Sequence, residues 1–223
     1  MTCYLWQFLC EIAKTTNTAL KFCMSLKERR RIGFLGGSFD PVHLGHLMIA
    51  EYAWLGLKLN KVYFVPAAQN PHKKDVPLAD ASHRLKMLEV ATSGYHQFGI
   101  WDGELSMEGP SFTLKTVRLL EQVYPNSHLF WIIGTDQLKN LHRWHGINEL
   151  VKRIGFILVE RPEETYLWPG IPGLHIYPVT NPLSTISSTG IRQRLQSGQS
   201  VDGQVPKETL DYIRENNLYA PVK

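Results

Sequence analysis

The sequence predicts a doubly wound, Rossmann-like α/β domain in which helices cover both faces of a parallel sheet. From residue 31 onwards, short apolar runs bounded by turn residues alternate with segments of helical periodicity, which is typical of strands buried on both faces. The chain has 223 residues, 43% of them hydrophobic and 20% charged, which suits one soluble domain with a sizeable core. Ligands of such a domain are expected at the carboxyl ends of the strands.

The predicted elements follow one another along the chain. Apolar runs such as "KVYFVP" and "HLFWIIG" predict strands at 32–35, 61–66, 98–101, 128–134, 154–160 and 174–179. Apolar residues three or four apart predict helices at 46–57, 81–91, 112–123, 188–196 and 206–216. The segment 161–173, rich in Pro and Gly, is expected to be a surface loop within the domain.

The charge distribution argues against a nucleic-acid partner. The formal net charge is +4, but residues 1–30 hold five of the 24 basic side chains and only two of the 20 acidic ones. The rest of the chain is therefore nearly neutral and lacks the single-sign field of a polyanion binder. No apolar run approaches the roughly 18 residues of a membrane helix, so no membrane association is expected.

The first 23 residues differ from the rest of the chain. They contain all three cysteines, so a disulfide framework or a cysteine site is not expected in the remainder, which fits a reducing cytoplasm. They lack a basic start, and Glu11 interrupts their apolar stretch, which makes a poor signal peptide. We expect 1–23 to be a dispensable extension and 24–223 to be a single domain; the alternative is a short amphipathic helix packed on the body or a membrane surface.

The segment "GGSFDPVHLGH", residues 36–46, follows the first predicted strand. Gly36 and Gly37 allow a tight turn and a close approach of the backbone to a ligand. The next helix is expected to begin near residues 44–45, which places His43 and His46 around its first turn. Unpaired N–H groups and the positive end of the helix dipole attract anions there. This arrangement predicts a phosphate site, with a structural role for either histidine as the alternative.

Other phosphate and metal motifs fit this segment less well. "GFLGGS" does not match the dinucleotide pattern G-x-G-x-x-G, and the chain contains no G-x-x-x-x-G-K-[ST]. A hydride-transfer enzyme and a P-loop kinase are therefore not expected. A zinc site would need a third ligand beside His43 and His46, for which His72 is the candidate, and we predict no protein metal site.

Two further segments carry candidate phosphate ligands. In "ISSTGIR", residues 186–192, Ser187 or Ser188 is suited to cap a helix, and Arg192 lies one turn on. Capping explains one hydroxyl but not three in succession. In "NPHKK", residues 70–74, Lys73 lies in a loop where it could reach a triphosphate, although exposed loop lysines are usually only solvated.

Together these segments resemble a known family. "GGSFDPVHLGH" is similar to the first signature of the nucleotidyltransferase superfamily, and "ISSTGIR" is similar to its second. With "NPHKK", "SFTLKT", "FWIIGTDQL" and "HRWHGINEL", the resemblance is to the bacterial nicotinate-nucleotide adenylyltransferases, over about residues 31–220 and in the same order. It implies transfer of the adenylyl group of ATP to nicotinate mononucleotide, which yields deamido-NAD and pyrophosphate.

The resemblance also implies roles for individual residues. His43, His46, Lys73 and Arg192 would contact the phosphates and stabilise the charge that develops during transfer. Mg²⁺ would arrive with ATP and need few or no protein ligands. The remaining ATP-binding residues would be Gly36, Gly37, Ser38, Phe39, Ser188 and Thr189. The mononucleotide would be bound by Thr113, by Trp144 with the backbone of 142–145, and by Asp136, which could bond a ribose. Ordinary packing is the alternative for Trp144.

Two other functional classes remain as alternatives. Pantetheine-phosphate adenylyltransferases and cytidylyltransferases share the first signature but commonly lack the "SFTLKT" and "HRW" segments. A catalytically silent nucleotide-binding module would have no reason to keep His43, His46, Lys73 and Arg192 together. The sequence is compatible with a homo-oligomer and does not determine how strictly the acid mononucleotide is preferred to its amide.

A first prediction concerns the extension. A variant that begins at Met24 is expected to keep its melting temperature and the activity that the resemblance implies, because the α/β pattern is complete without residues 1–23. Calorimetry and steady-state kinetics of the two chains test this. A large fall in either quantity would show that the extension is structural.

Overall fold

The strands form one sheet. The computed structural model describes residues 29–68, 79–160, 168–180 and 186–220, and contacts divide the chain into two units, Met1–Arg30 and Arg31–Lys223. The six strands of the described residues are β1 (Arg30–Gly37), β2 (Lys61–Pro66), β3 (Phe98–Ile100), β4 (Ser127–Gly134), β5 (Gly155–Glu160) and β6 (Ile176–Thr180). Their order is β3-β2-β1-β4-β5-β6, and β1 with β2, β2 with β3, β4 with β5, and β5 with β6 pair in parallel.

Helices connect the strands. The α-helices are α1 (Leu44–Gly56), α2 (Ala81–Thr92), α3 (Thr113–Val123), α4 (Thr135–Leu138), α5 (Ile147–Leu150), α6 (Ser188–Gln196) and α7 (Lys207–Glu215). Short 3₁₀ turns lie at Gly103–Ser106 and Leu141–Arg143. In the part of the chain that the structure describes, no helix is long and apolar enough to cross a membrane.

The two faces of the sheet bury separate apolar clusters. Neighbouring residues of β1 alternate between them, because successive side chains of a strand point to opposite faces: Phe34 joins one cluster and Leu35 the other. Helices α1, α2, α6 and α7 supply the cluster of Leu35, whereas α3 supplies that of Phe34. The predicted α/β sheet with helices on both faces is confirmed.

Most predicted boundaries are within two residues of the observed ones. β2 has the predicted ends, and α6 also agrees with its prediction. β6 begins two residues later than predicted, because a turn at Gly173, with φ of 78°, and a bond from the Leu174 N–H to the Ile171 carbonyl precede it. The short helices α4 and α5 and the two 3₁₀ turns were not predicted, since four residues show no usable periodicity.

The strand order fixes where a ligand can bind. The order runs outward in one direction from β1 to β3 and in the other from β4 to β6, so the connections diverge between β1 and β4. Ligands of open α/β sheets bind in the crevice beyond the carboxyl ends of the strands at this switch point. Gly36 and Gly37, where a tight turn was predicted, are the last residues of β1 and pair with β2. Residues 38–46 follow β1, and Asp136 follows β4, so both lie at this point of the sheet.

Candidate active site

The glycines at the end of β1 are required by the packing of the chain itself. A Cβ at Gly36 would lie 2.6 Å from the Trp131 ring, and a Cβ at Gly37 would lie 3.0 Å from the Phe39 ring. Phe39 is buried at φ of 49° and packs edge-on against Phe64. The rings of Trp131 and Phe39 therefore occupy the side of these glycines where a Cβ would lie. A ligand could approach Gly36 and Gly37 closely only from another side.

His43 and His46 form a stacked pair at the start of α1. Their ring centroids are 3.7 Å apart, and the His46 ring also lies 5.0 Å from that of Phe39. His43 is the N-cap, and its backbone N–H donates to Nδ1 of His46 at 3.3 Å. An Nδ1 that accepts a hydrogen bond leaves the proton of the neutral imidazole on Nε2. The backbone of the helix N-terminus thus sets Nε2 of His46 as the hydrogen-bond donor.

The second signature segment contacts the first. Arg192 donates from Nη1 to the backbone carbonyl of Asp40 at 2.8 Å, and the same nitrogen is 3.6 Å from the Asp40 carboxylate. Ser188 donates from its hydroxyl to the carbonyl of Pro41 at 3.0 Å. The residues are about 150 positions apart in sequence, so the fold brings the two signature segments into contact.

The hydroxyls at the start of α6 have different partners. Ser187 is the N-cap and accepts a bond from the Gly190 N–H at 3.1 Å, so of the two serines predicted to cap the helix it is Ser187 that does. The Ser188 hydroxyl instead donates to the Pro41 carbonyl. Thr189 is exposed, and its Oγ1 is at 3.5 Å from Nη2 of Arg192, near the limit for a hydrogen bond.

A buried arginine joins the loops that follow β1 and β2. Arg84 is 2% exposed, and its Nη1 donates to the carbonyls of Ser38 at 2.7 Å and Ala67 at 2.8 Å. Burial lowers the pKa of Arg84, while the nearby Asp40 carboxylate opposes that shift. Sequence reasoning missed this residue. The available signal was a charged residue three and four positions before the buried Met87 and Leu88, on the apolar side of α2.

A buried carboxyl group supports the loop before α3. Glu104 is 3% exposed and accepts a hydrogen bond from the Thr116 hydroxyl. Burial raises the pKa of Glu104, and hydrogen bonds from Thr116 and Ser111 only partly offset this. The hydroxyl of Ser111 also accepts from the N–H of Ala68, just beyond β2. Glu104 therefore links the start of α3 to the carboxyl edge of the sheet.

The residues predicted to bind the mononucleotide lie in three different environments. Thr113 is the first residue of α3 and is half-buried. Asp136 is exposed in α4. Trp144 is 9% exposed and packs edge-on near Phe156, at 6.3 Å between ring centroids, in agreement with the packing alternative.

The neighbourhood of Trp144 contains a stacked pair that the sequence did not indicate. The rings of Phe112 and His145 are stacked at 4.5 Å, and the Lys115 ammonium lies 5.8 Å from the Phe112 ring centroid. His145 is exposed and was given no role from the sequence. Phe112 and His145 therefore place two aromatic rings at the start of α3, beside Thr113, with the Lys115 ammonium close by.

Two of the predicted residues cannot be compared with the structure. Lys73, and His72 as the alternative zinc ligand, lie outside the described residues. Within the described ranges, no three His, Cys, Asp or Glu side chains are grouped as metal ligands.

The buried Glu104 predicts a pH dependence of stability. Because the pKa of Glu104 is raised on folding, protonation of this side chain stabilises the folded state. The stabilisation is complete at pH values below the pKa of an unfolded glutamate, about 4.3, and is lost as pH rises through the folded pKa. In Glu104→Gln, the free energy of unfolding is expected to fall less between these pKa values than in the wild type. Denaturant titrations at several pH values measure the difference.

Glu149→Gln is the matched control for that experiment. Hydrogen bonds from Arg118 and Arg153 lower the pKa of Glu149, so its contribution is present at higher pH and is lost as pH falls. The two substitutions should therefore change the pH slope in opposite directions. Equal slopes for the wild type and Glu104→Gln would contradict the assignment.

Comparison with known proteins identifies relatives of this chain. The family model described as cytidylyltransferase-like matches residues 34–194. The nicotinate-nucleotide adenylyltransferase of Bacillus subtilis is 38% identical over 196 residues, covering 85% of this chain and 98% of that protein. A protein of Opitutus terrae named "Probable nicotinate-nucleotide adenylyltransferase" is 41% identical over 192 residues, covering 86% and 98%.

Solved structures confirm the fold. The Plasmodium falciparum nicotinic acid mononucleotide adenylyltransferase complexed with NaAD superposes with a TM-score of 0.70 at 22% identity, over 86% of this chain and 98% of that chain. The same protein complexed with APC gives a TM-score of 0.68 at 21% identity. With a family model over most of the chain and relatives near 40% identity over their whole length, this chain belongs to the nicotinate-nucleotide adenylyltransferases of the cytidylyltransferase-like family.

Proposed function

We propose that the protein transfers the adenylyl group of ATP to nicotinate mononucleotide, giving deamido-NAD and pyrophosphate in NAD biosynthesis. The observation that carries this proposal is the junction of the two signature segments through Arg192 and Asp40. It brings a cation and two histidines to the switch point of the sheet. The named relatives, which match over 85% or more of this chain, point to the same reaction.

The triphosphate would lie between α1 and α6. Nε2 of His46 would donate to oxygens of the α-phosphate, with His43 stacked behind it, while Arg192 would contact the β- and γ-phosphates. The Arg192 guanidinium has five N–H donors, and only Nη1 donates to Asp40, so other N–H groups can donate to a ligand. Lys73 would add a second cation from the loop after β2. Gly36, Gly37, Ser38, Phe39, Ser188 and Thr189 would form the wall around the nucleotide.

The reaction needs no nucleophile from the protein. A phosphate oxygen of the mononucleotide would attack the α-phosphorus of ATP, and the bond from that phosphorus to the oxygen leading to the β-phosphate would break. Pyrophosphate would leave with the bonding electrons, so no proton abstraction or redox step is needed. The protein would contribute alignment and stabilisation of the charge on the departing oxygens.

A divalent cation, which we propose is Mg²⁺, would accompany ATP. The Asp40 carboxylate lies 3.6 Å from Arg192, but Asp40 is 3% exposed and its carboxylate accepts from Ala79 and Tyr219. The residues present therefore fit a cation that is bound mainly by phosphate oxygens and water. Bound there, the cation would neutralise charge on the phosphates.

The mononucleotide would bind beside α3. Thr113 and the backbone at the start of that helix would donate to the pyridine carboxylate, with Lys115 adding positive charge nearby. Asp136 would bond a ribose hydroxyl. Trp144, which packs near Phe156, would stack on the pyridine ring, with the backbone of 142–145 beside it. We also propose a cytoplasmic location, with the oligomeric state left open.

The acceptor preference tests this function. Nicotinate mononucleotide is expected to give kcat/KM at least about tenfold above that of the amide, because a charge-assisted hydrogen bond contributes roughly 1.5–3 kcal/mol. Pyrophosphate release with Mg·ATP and each mononucleotide measures the ratio. Phosphopantetheine and CTP are the controls for the other transferases. Equal use of acid and amide would contradict the assignment, and ATP binding without turnover would favour a silent module.

Substitution of His46 separates its chemical role from its structural one. His46→Ala is expected to reduce kcat about a hundredfold or more, because a donor aimed at developing charge is lost. It should also reduce the free energy of unfolding by about 0.5–2 kcal/mol, because the His43 N–H loses its acceptor. Steady-state kinetics and denaturant titrations measure the two effects.

His46→Gln is the control. A glutamine at this third helical position can accept from the N-cap N–H, so it should recover much of the stability but not the rate. Normal turnover in His46→Gln would show that the imidazole is not needed for the reaction.

A further inference from the structure

The C-terminal segment contributes a side chain to the junction of the two signatures. Tyr219 is 8% exposed, and its hydroxyl donates to Oδ1 of Asp40 at 2.6 Å, across 179 positions of sequence. Neither signature segment includes this residue. Its contact is to the same carboxylate that lies 3.6 Å from Arg192.

The backbone is bent to bring this tyrosine inward. α7 ends at Glu215, and both Asn217 and Tyr219 then take left-handed backbone angles, with φ of 51° and 58°. The Leu218 N–H donates to the Ile213 carbonyl, which closes the turn. A tyrosine at positive φ is unfavourable by itself, so the inward placement must be stabilised by what the ring contacts. The ring packs in the apolar cluster of Leu35.

Asp40 depends on this hydroxyl. Its carboxyl group is 3% exposed, and Oδ1 accepts from both the Tyr219 hydroxyl and the Ala79 N–H. A buried carboxylate needs such donors to replace its lost water and to keep one orientation. Burial raises the pKa of Tyr219, and its bond to Asp40 acts in the same direction, so the hydroxyl stays a donor. Two bonds to Oδ1 leave Oδ2 directed to Arg192.

We propose that Tyr219 is a positioning residue for adenylyl transfer: its hydroxyl orients Asp40, and Asp40 in turn holds the Arg192 guanidinium toward the triphosphate. This inference rests on the proposed function, because it assumes that Arg192 binds phosphate. Loss of the hydroxyl would leave Oδ1 short of a donor and let the carboxylate rotate. Arg192 would then keep its bond to the Asp40 backbone carbonyl but lose the fixed carboxylate beside it, while its own charge stayed unchanged.

Tyr219→Phe tests this proposal, with Tyr212→Phe as the matched control. Tyr212 lies on α7, and its hydroxyl bonds Nδ1 of His83 at 2.8 Å, so the control removes a comparable hydrogen bond from the same part of the chain. In Tyr219→Phe, the KM and the calorimetric Kd for ATP are expected to rise about threefold to tenfold, with a smaller fall in kcat. In Tyr212→Phe, ATP parameters should match those of the wild type while the melting temperature falls similarly.

A double-mutant cycle with Arg192→Ala identifies the path of the effect. Arg192→Ala alone should weaken ATP binding, and adding Tyr219→Phe to it should weaken binding no further, because the residue that Tyr219 positions is then absent. Additive losses would overturn the proposal. So would unchanged ATP binding in Tyr219→Phe, equal effects of the two tyrosine substitutions, or unfolding of Tyr219→Phe at assay temperature, each of which indicates a structural role only.

The proposed function can fail separately from this inference. If the wild type binds ATP but forms no pyrophosphate with nicotinate mononucleotide, the function fails, while the calorimetric comparison still decides whether Tyr219 positions Arg192. If the wild type does not bind ATP at all, both proposals are overturned.

Discussion

The arrangement of the site depends on the buried carboxylate of Asp40. It accepts from Ala79 before α2 and from Tyr219 beyond α7, and it lies 3.6 Å from Arg192 on α6. Arg192 is partly exposed and also donates to the Asp40 backbone carbonyl, so the carbonyl and the carboxylate together fix its guanidinium. The position of Arg192 therefore depends, through Asp40, on the segments before α2 and beyond α7, which are far apart in sequence.

Two further buried polar groups connect the loops at the carboxyl ends of the strands. Arg84 joins the carbonyls of Ser38 and Ala67 and so holds together the loops after β1 and β2. Glu104, through Ser111, connects the loop before α3 to the end of β2. A reaction that requires alignment more than a protein nucleophile benefits from such preorganisation, because the donors need not reorganise as charge develops.

Sequence reasoning succeeded where a local pattern has one structural meaning. The strand Lys61–Pro66 and the helix Ser188–Gln196 follow from apolar runs and capping residues alone, whereas the contact between Arg192 and Asp40 is shown only by the structure. The role of Asp40 could not be predicted, because its partners Arg192 and Tyr219 are distant in sequence. For Trp144, the sequence motif suggested a binding role but could not show that the indole is packed near Phe156.

The most direct test is a crystal structure of the protein with a non-hydrolysable ATP analogue and Mg²⁺. The account predicts phosphate oxygens within hydrogen-bond distance of both Nε2 of His46 and the Arg192 guanidinium, with the bonds of Arg192 and Tyr219 to Asp40 retained. Phosphates bound away from these two side chains, or an Arg192 that leaves Asp40 when the nucleotide binds, would contradict it.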